Sequence, residues 1–168
     1  MKMSESHSRL VSMENERFDR STRLILQALQ ADSRQSTQQL ADQVGLSATP
    51  VWRRIKELEA SGVIRRHVAL ADREKLGLSI CVLANVSLVR HSEGAVEQFE
   101  RMVATSGEII ECQAITGEAD YVIKVVATDM KAYDQFLQAK IFKVAGVASV
   151  RSNVVLREVK YETALPVG

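Results

Sequence analysis

The apolar positions of this chain keep two different periods, and the change falls in the polar stretch ADREKLGLS (71–79). Before it the spacing is helical. FDRSTRLILQALQADSR sets Ile25, Ala28 and Leu29 on one face, with Leu24 and Leu26 flanking them, which predicts a helix from Phe18 that ends near Asp32. STQQLADQVG predicts a second, with Ser36 as N-cap, Leu40, Ala41 and Val44 inward, and Gly45 past its end. After the short turn Gly45-Leu46-Ser47 a third begins, with Ser47 as N-cap. Pro50 lies in its first turn, where a missing N–H costs no hydrogen bond. At ~100° per residue, Val51, Ile55 and Leu58 share the inner face of this helix, and Thr49, Arg53 and Lys56 fall opposite. Trp52 sits between the two faces, a packing flank or an outward contact. Gly62 ends the helix, and the β-prone VIRRHVALA (63–71) that follows reads as a strand leaving the helical unit, in the position of a wing. Three short helices with a tight glycine turn between the second and third make a helix-turn-helix.

Beyond residue 79 the period becomes that of strands, interrupted by two amphipathic helices. ICVLANVSLV (80–89), EIIECQAIT (108–116), DYVIKVVAT (120–128) and VASVRSNVVLREV (147–159) predict strands. EGAVEQFERMVATSG (93–107) predicts a helix with Val96, Phe99 and Val103 inward, closed by Gly107. DMKAYDQFLQAKIFKV predicts another, capped by Asp129, with Tyr133, Phe136, Leu137 and Ile141 inward. The order βαββαβ is the ferredoxin-like plan. Ile80, Val82, Ala84, Val86 and Leu88 line one face of the first strand, yet Cys81, Leu83 and Val89 make the other face apolar as well. An antiparallel sheet with helices on one side ordinarily turns a polar face to water. The second face is therefore expected to pack on another copy of the chain, as a homodimer.

The fold class expected is α+β: a flexible arm over 1–17, a helix-turn-helix over 18–62, a wing and linker strand over 63–78, and a βαββαβ oligomerisation domain over 79–168, to which the resemblance described below adds ligand binding. Charge supports the division only modestly. Residues 1–76 hold 13 Lys+Arg against 10 Asp+Glu, and residues 77–168 hold 9 against 11, so the basic excess lies with the helices. The start, MKMSESHSRL, lacks a signal-peptide apolar region, and no run reaches the ~18 apolar residues of a membrane span, so the expected location is the cytoplasm. Cys81 and Cys112 are neither in CxxC spacing nor near a histidine cluster, and read as buried thiols. His7, His67 and His91 are scattered, and neither a nucleophile–base pair nor a glycine-rich phosphate loop is present. No enzyme, cofactor or metal is expected.

Four segments then carry a resemblance: FDRSTRLILQAL, LADQVGLSATPVWRRIKELEASGVIRRHVALADREKLG, ECQAITGEADYVIKVVATDMKAYDQFL and the ending VKYETALP. Together, over about residues 18 to 167, they resemble the Lrp/AsnC, or feast/famine, family of bacterial regulators. TPVWRR and KYETALP look most like its branch for amino-acid catabolism, which includes a cysteine-responsive regulator. Thr22 departs from the pattern, since many relatives carry a second aspartate there. The resemblance implies a nucleoid-associated transcriptional regulator whose third helix enters the major groove of a pseudo-palindromic operator. Ser47, Ala48, Thr49, Trp52 and Arg53 are then candidates for the groove. Arg53 is suited to guanine and the Thr49 methyl to thymine, while Lys56, Arg65 and Arg66 are suited to phosphates. Arg54 belongs to the same set, or else braces the domain by an ion pair. The turn TGEADY (116–121) reads from its residues alone as a solvated hairpin turn; the resemblance makes it part of an amino-acid cleft between dimers. Thr116, Gly117, Glu118 and Asp120 are then effector contacts, backbone N–H groups meeting the carboxylate and the acids the ammonium, with Phe142 as a wall from a neighbouring dimer. Assemblies commonly up to octamers follow from the family. A low-specificity protein that wraps DNA without an effector is the alternative.

Overall fold

The computed structural model describes residues 18–89 and 94–167. The arm expected over 1–17, with His7, and residues 90–93, with His91, lie outside the described residues. The chain divides into two compact units, one of residues up to 69 together with 160–168, the other of residues 70–159.

The first unit holds three helices, α1 (Arg20–Ala31), α2 (Thr37–Val44) and α3 (Ala48–Ala60). Each start has a local cause. The Asp19 carboxylate accepts the Thr22 N–H at 2.7 Å and caps α1. Ser36 and Gln39 form a reciprocal capping box at α2, each side chain satisfying the other's backbone N–H. Gly45 ends α2 at φ 69°, a left-handed conformation that glycine adopts without a Cβ penalty, and this permits the tight turn into α3. Ser47 occupies the N-cap position of α3, but its side chain makes no capping bond. Ile25, Leu40, Ala41 and Val51 form the buried centre, with Ala28, Leu29, Val44, Leu46, Ala48 and Ile55 packed around it. Leu24, expected to flank this core, is 36% exposed, whereas Leu26 is buried.

The second unit is the βαββαβ arrangement: β1 (Ile80–Leu88), α4 (Ala95–Ala104), β2 (Ile109–Ala114), β3 (Tyr121–Ala127), α5 (Met130–Ala139), a 3₁₀ turn at Ile141–Lys143, and β4 (Val147–Val154). The strands form one antiparallel sheet in the order β2-β3-β1-β4. Val82, Ala84 and Val86 of β1 and Tyr121, Ile123 and Val125 of β3 face the helices and bury Phe99, Tyr133, Phe136 and Ile141. Within α4 the inward position belongs to Ala95, which is buried; Val96, read as inward, is 45% exposed. The helix begins only at Ala95, so its first turn presents Ala95 and Phe99, four residues apart, to the sheet.

Two expected strand segments differ. VIRRHVALA does not form a strand, and residues 65–72 have no regular secondary structure. A strand needs a ladder partner, and no described strand pairs with this stretch. Its start is held instead by the Ile64 N–H donating to the Leu58 carbonyl, which closes α3. The last strand stops at Val154, short of 159, because β1 begins at Ile80 and has little backbone left to pair; one further bond joins the Val155 N–H to the Cys81 carbonyl. The chain then runs on to the first unit, where the Gln30 carboxamide donates to the Leu165 carbonyl at 3.0 Å and accepts the Leu165 N–H at 2.7 Å.

Candidate nucleic-acid interface and effector site

The outer side of α3 is open. Thr49 and Lys56 are exposed, Trp52 is 55% exposed, and Ala48 is half-buried. The exposure of Trp52 turns it away from the packed core. Arg53 points to solvent and, among the described residues, meets only Glu57, one turn on, at 3.6 Å. Such a surface pair contributes little and leaves the guanidinium available. Arg65 and Arg66 follow in the exposed segment after the helix. Arg54 differs from its neighbour: its guanidinium donates to Asp19 at 2.7 Å, and its Nε is buried without a hydrogen-bond partner among the described residues. It therefore ties α3 to the start of α1. The Glu59 carboxylate gathers Lys56 at 2.7 Å and His67 at 3.3 Å, and these hydrogen bonds, that of Lys56 foremost, hold its pKa below the ordinary value.

Asp19 thus serves twice, as cap of α1 and as partner of Arg54. Its hydrogen bonds to Thr22 chiefly, with help from Arg54 and Arg23, lower its pKa below 3.8. A depressed carboxylate contributes stability above its unfolded pKa and loses it as pH falls through the folded value. Asp19→Ala is accordingly expected to destabilise the first unit by about 1 kcal/mol at neutral pH. Thermal melts of mutant and parent should converge as pH drops below 3.8; a constant difference down to strong acid contradicts the role given to this carboxylate.

At the other candidate site, β2 and β3 are joined by the hairpin turn, with Gly117 at φ 124°, a conformation that favours glycine. The turn is tied down by backbone bonds from Ile115 N–H to the Asp120 carbonyl and from Asp120 N–H to the Val86 carbonyl. The Asp120 carboxylate accepts the Leu88 N–H at 2.7 Å, so one of its oxygens is engaged in bracing the hairpin against β1. Glu118 projects outward and pairs with Arg151 of β4 at 3.0 Å. Beside that pair lies an open cleft of about 260 Å³, lined by Asn85, Ile115, Glu118, Ala119, Arg151 and Asn153. Of the effector candidates, only Glu118 lines it. Thr116 is exposed in the turn, and Phe142, 51% exposed in the 3₁₀ turn, is not part of the lining. Asn85, Arg151 and Asn153 were not singled out from the sequence. The available signal was register: polar residues at every second position of β4, Ser149, Arg151 and Asn153, on the face away from the helices, where β1 adds Asn85.

That face is mixed in character. Cys81 and Val126 are buried already within the single chain, Leu83 is 41% exposed, and Asn85, Arg151 and Asn153 make the half nearer the hairpin polar. Cys112 is half-buried against the helix-side core, and burial raises its thiol pKa. Among the described residues no cluster of His, Cys, Asp or Glu is arranged to hold a metal, and no helix is long and apolar enough to cross a membrane.

Residues 18–65 match the model of a winged helix-turn-helix DNA-binding domain, and residues 81–165 match that of the Lrp/AsnC ligand-binding domain. The chain belongs to the Lrp/AsnC family. It is a DNA-binding transcriptional regulator, with the α+β, two-part architecture of that family. The DNA-binding transcriptional activator DecR of Escherichia coli K12 is 36% identical over 150 residues, covering 89% of this chain and 99% of DecR. A transcriptional regulator of Neisseria meningitidis, solved as a complex with L-Met, superposes with a TM-score of 0.85 at 36% identity, covering 89% of this chain and 96% of the other. An AsnC-family regulator of Agrobacterium tumefaciens gives a TM-score of 0.83 at 39% identity, with coverage of 89% and 97%. In this Lrp/AsnC chain, the exposed row on α3 lies within the winged helix-turn-helix match, and the hairpin and its cleft within the ligand-binding match.

Proposed function

We propose that this protein is a sequence-specific regulator in the bacterial cytoplasm whose assembly and DNA binding respond to a small amino acid. The observation that carries the reading is the open row Thr49, Trp52, Arg53 on a helix whose opposite face is locked into a core. On this reading α3 enters the major groove. Ser47, Ala48, Thr49, Trp52 and Arg53 approach base edges, and Lys56, Arg65 and Arg66 meet phosphates. Arg54 is engaged with Asp19 and braces the reading helix. Two copies joined through the sheet face around Leu83 and Val122 bind a pseudo-palindromic operator, and dimers assemble further, up to an octamer. The hairpin Thr116–Asp120 takes the effector, with Phe142 walling it from a neighbouring dimer; the regulator solved with L-Met supports an amino acid. An effector acts only by binding one assembly more tightly than another.

The test is a gel-shift titration of operator against random DNA at physiological salt, with and without each of the twenty amino acids, L-methionine and L-cysteine first. Sedimentation of the same samples accompanies it. A specific regulator should prefer its operator by ~10³ or more. A ratio near one favours the architectural, DNA-wrapping reading, and a sedimentation profile of monomers, or one indifferent to every amino acid, refutes the assembly mechanism.

A further inference from the structure

Among the described residues, the Trp52 indole is the largest and most exposed apolar side chain left on the surface of the three helices, at 55% against 36% for Leu24. The opposite face of its helix is committed, since Val51 and Leu58 are buried. The neighbouring cations each have an acid: Arg53 meets Glu57, Arg54 meets Asp19 and Lys56 meets Glu59. The indole has no such partner. Among the described residues no ring stacks on it, no cation lies over it and no acceptor takes its N–H. Thr49, exposed and one turn earlier, is its neighbour on the helix surface, so the Thr49 methyl and the indole make one apolar strip beside Arg53 and Lys56. All four residues fall within the winged helix-turn-helix match.

The major groove has a single apolar group to offer such a strip, the C5-methyl of thymine. Next to that methyl, thymine presents O4, an acceptor, while the indole carries a donor N–H at the edge of an apolar ring. The two surfaces are complementary. Cytosine in the same place lacks the methyl and presents its N4 donor, which an indole, itself a donor only, would cover and leave unsatisfied. We propose that Trp52 selects thymine in each half-site, its ring covering the C5-methyl and its N–H reaching O4, with the Thr49 methyl extending the apolar cover. The proposal rests on the reading of α3 as the groove helix and adds the base feature that Trp52 recognises, leaving guanine to Arg53. Discrimination has an attractive part, the methyl buried, and a repulsive one, the cytosine donor left unpaired. Covering one methyl is worth roughly fourfold in affinity per half-site, or about fifteenfold for the two half-sites of a dimer's operator.

The experiment uses the full chain and a duplex enriched by it from a random-sequence pool. Symmetry-related thymines of that duplex are replaced, one pair at a time, by deoxyuridine, which pairs as thymine does and keeps O4 but lacks the methyl. The parent should lose roughly tenfold in affinity at one such pair. Trp52→Ala should bind the thymine duplex at least that much more weakly and no longer distinguish thymine from deoxyuridine there. Its melting temperature should match the parent's, because the side chain lies outside the core. Trp52→Phe should restore most of the methyl preference, and Arg53→Ala should lose affinity but keep the preference. The proposal is overturned, with the groove reading left standing, if Trp52→Ala keeps the full difference between thymine and deoxyuridine, or if Thr49→Ser abolishes that difference while Trp52→Ala does not. It is equally overturned if Trp52→Ala changes the sedimentation of the free protein and leaves base preference intact, which would make Trp52 a contact between copies. A parent that enriches no sequence from the pool overturns the specific-regulator reading itself.

Discussion

Phe99→Ala should lower the unfolding free energy of the effector unit by about 3 to 5 kcal/mol, the range for deleting a fully buried aromatic ring. The ring is completely inaccessible, and its centroid lies 4.8 Å from that of Tyr121, at an interplanar angle of 45°. It is packed against the sheet by Val82, Val86 and Ile123, and a sheet held by three ladders cannot collapse into the space the ring leaves. Tyr121 is itself tied at its hydroxyl to Glu100 at 2.9 Å, and burial with that carboxylate raises the phenol pKa to about 12. It cannot readily swing to fill the void. Against a usual total of about 5 to 15 kcal/mol, the loss is a large part of the unit's stability. Urea denaturation followed by far-ultraviolet circular dichroism measures it. Trp52 is the sole tryptophan and belongs to the other unit, so its fluorescence should report a transition that Phe99→Ala leaves in place. Val96→Ala is the companion: at 45% exposure its loss should be well under half as large. A loss below about 1 kcal/mol for Phe99→Ala contradicts the packing described.

Arg53→Ala should weaken operator binding by about 1 to 3 kcal/mol for each half-site contact, or roughly 5- to 150-fold, and flatten the base preference at the position it reads. Among the described residues its guanidinium is held only by the exposed Glu57 at 3.6 Å, so little is lost when it turns to DNA. Arg66→Ala tests the other class of contact. It should weaken binding evenly on operator and random DNA and reduce the slope of log affinity against log salt by about 1. The two mutants are thus separated by what they do to specificity. If Arg53→Ala and Arg66→Ala both bind operator as the parent does, or if Arg53→Ala loses affinity with base preference intact, the assignment of α3 to base reading fails.

Much of this architecture was readable because local chemistry and global packing agree. Ser36, Gln39 and Gly45 bound α2 by capping rules that need no tertiary knowledge, and the capping box and left-handed glycine stand where those residues place them. The period-2 runs around Val82 and Ile123 show their inner face directly. Legibility fails where a residue's state depends on what lies beside it. Val96 and Ala95 differ by one position, and only the late start of α4 decides which of them meets the sheet. VIRRHVALA has the composition of a strand, but composition cannot supply a ladder partner. The dual role of Asp19 needs α1 and α3 to be brought together, and the sequence separation of 35 residues to Arg54 hides it. Arg151 and Asn85 were invisible as a pair for the same reason: nothing in RSNVV states which residue of β1 it will face.

The clasp of Gln30 on Leu165 sets the order in which the molecule can be completed. Its partners are 135 residues apart, and the DNA-binding unit holds residues 160–168 as well as the three helices. During synthesis the three helices emerge early and can fold from short-range contacts. Their final pair of hydrogen bonds, however, waits until the whole effector unit has been made and residue 165 has left the ribosome. A nascent chain, or one cut before residue 165, would therefore carry a reading head that is folded but not fastened, and the fastened head marks a chain translated past that residue.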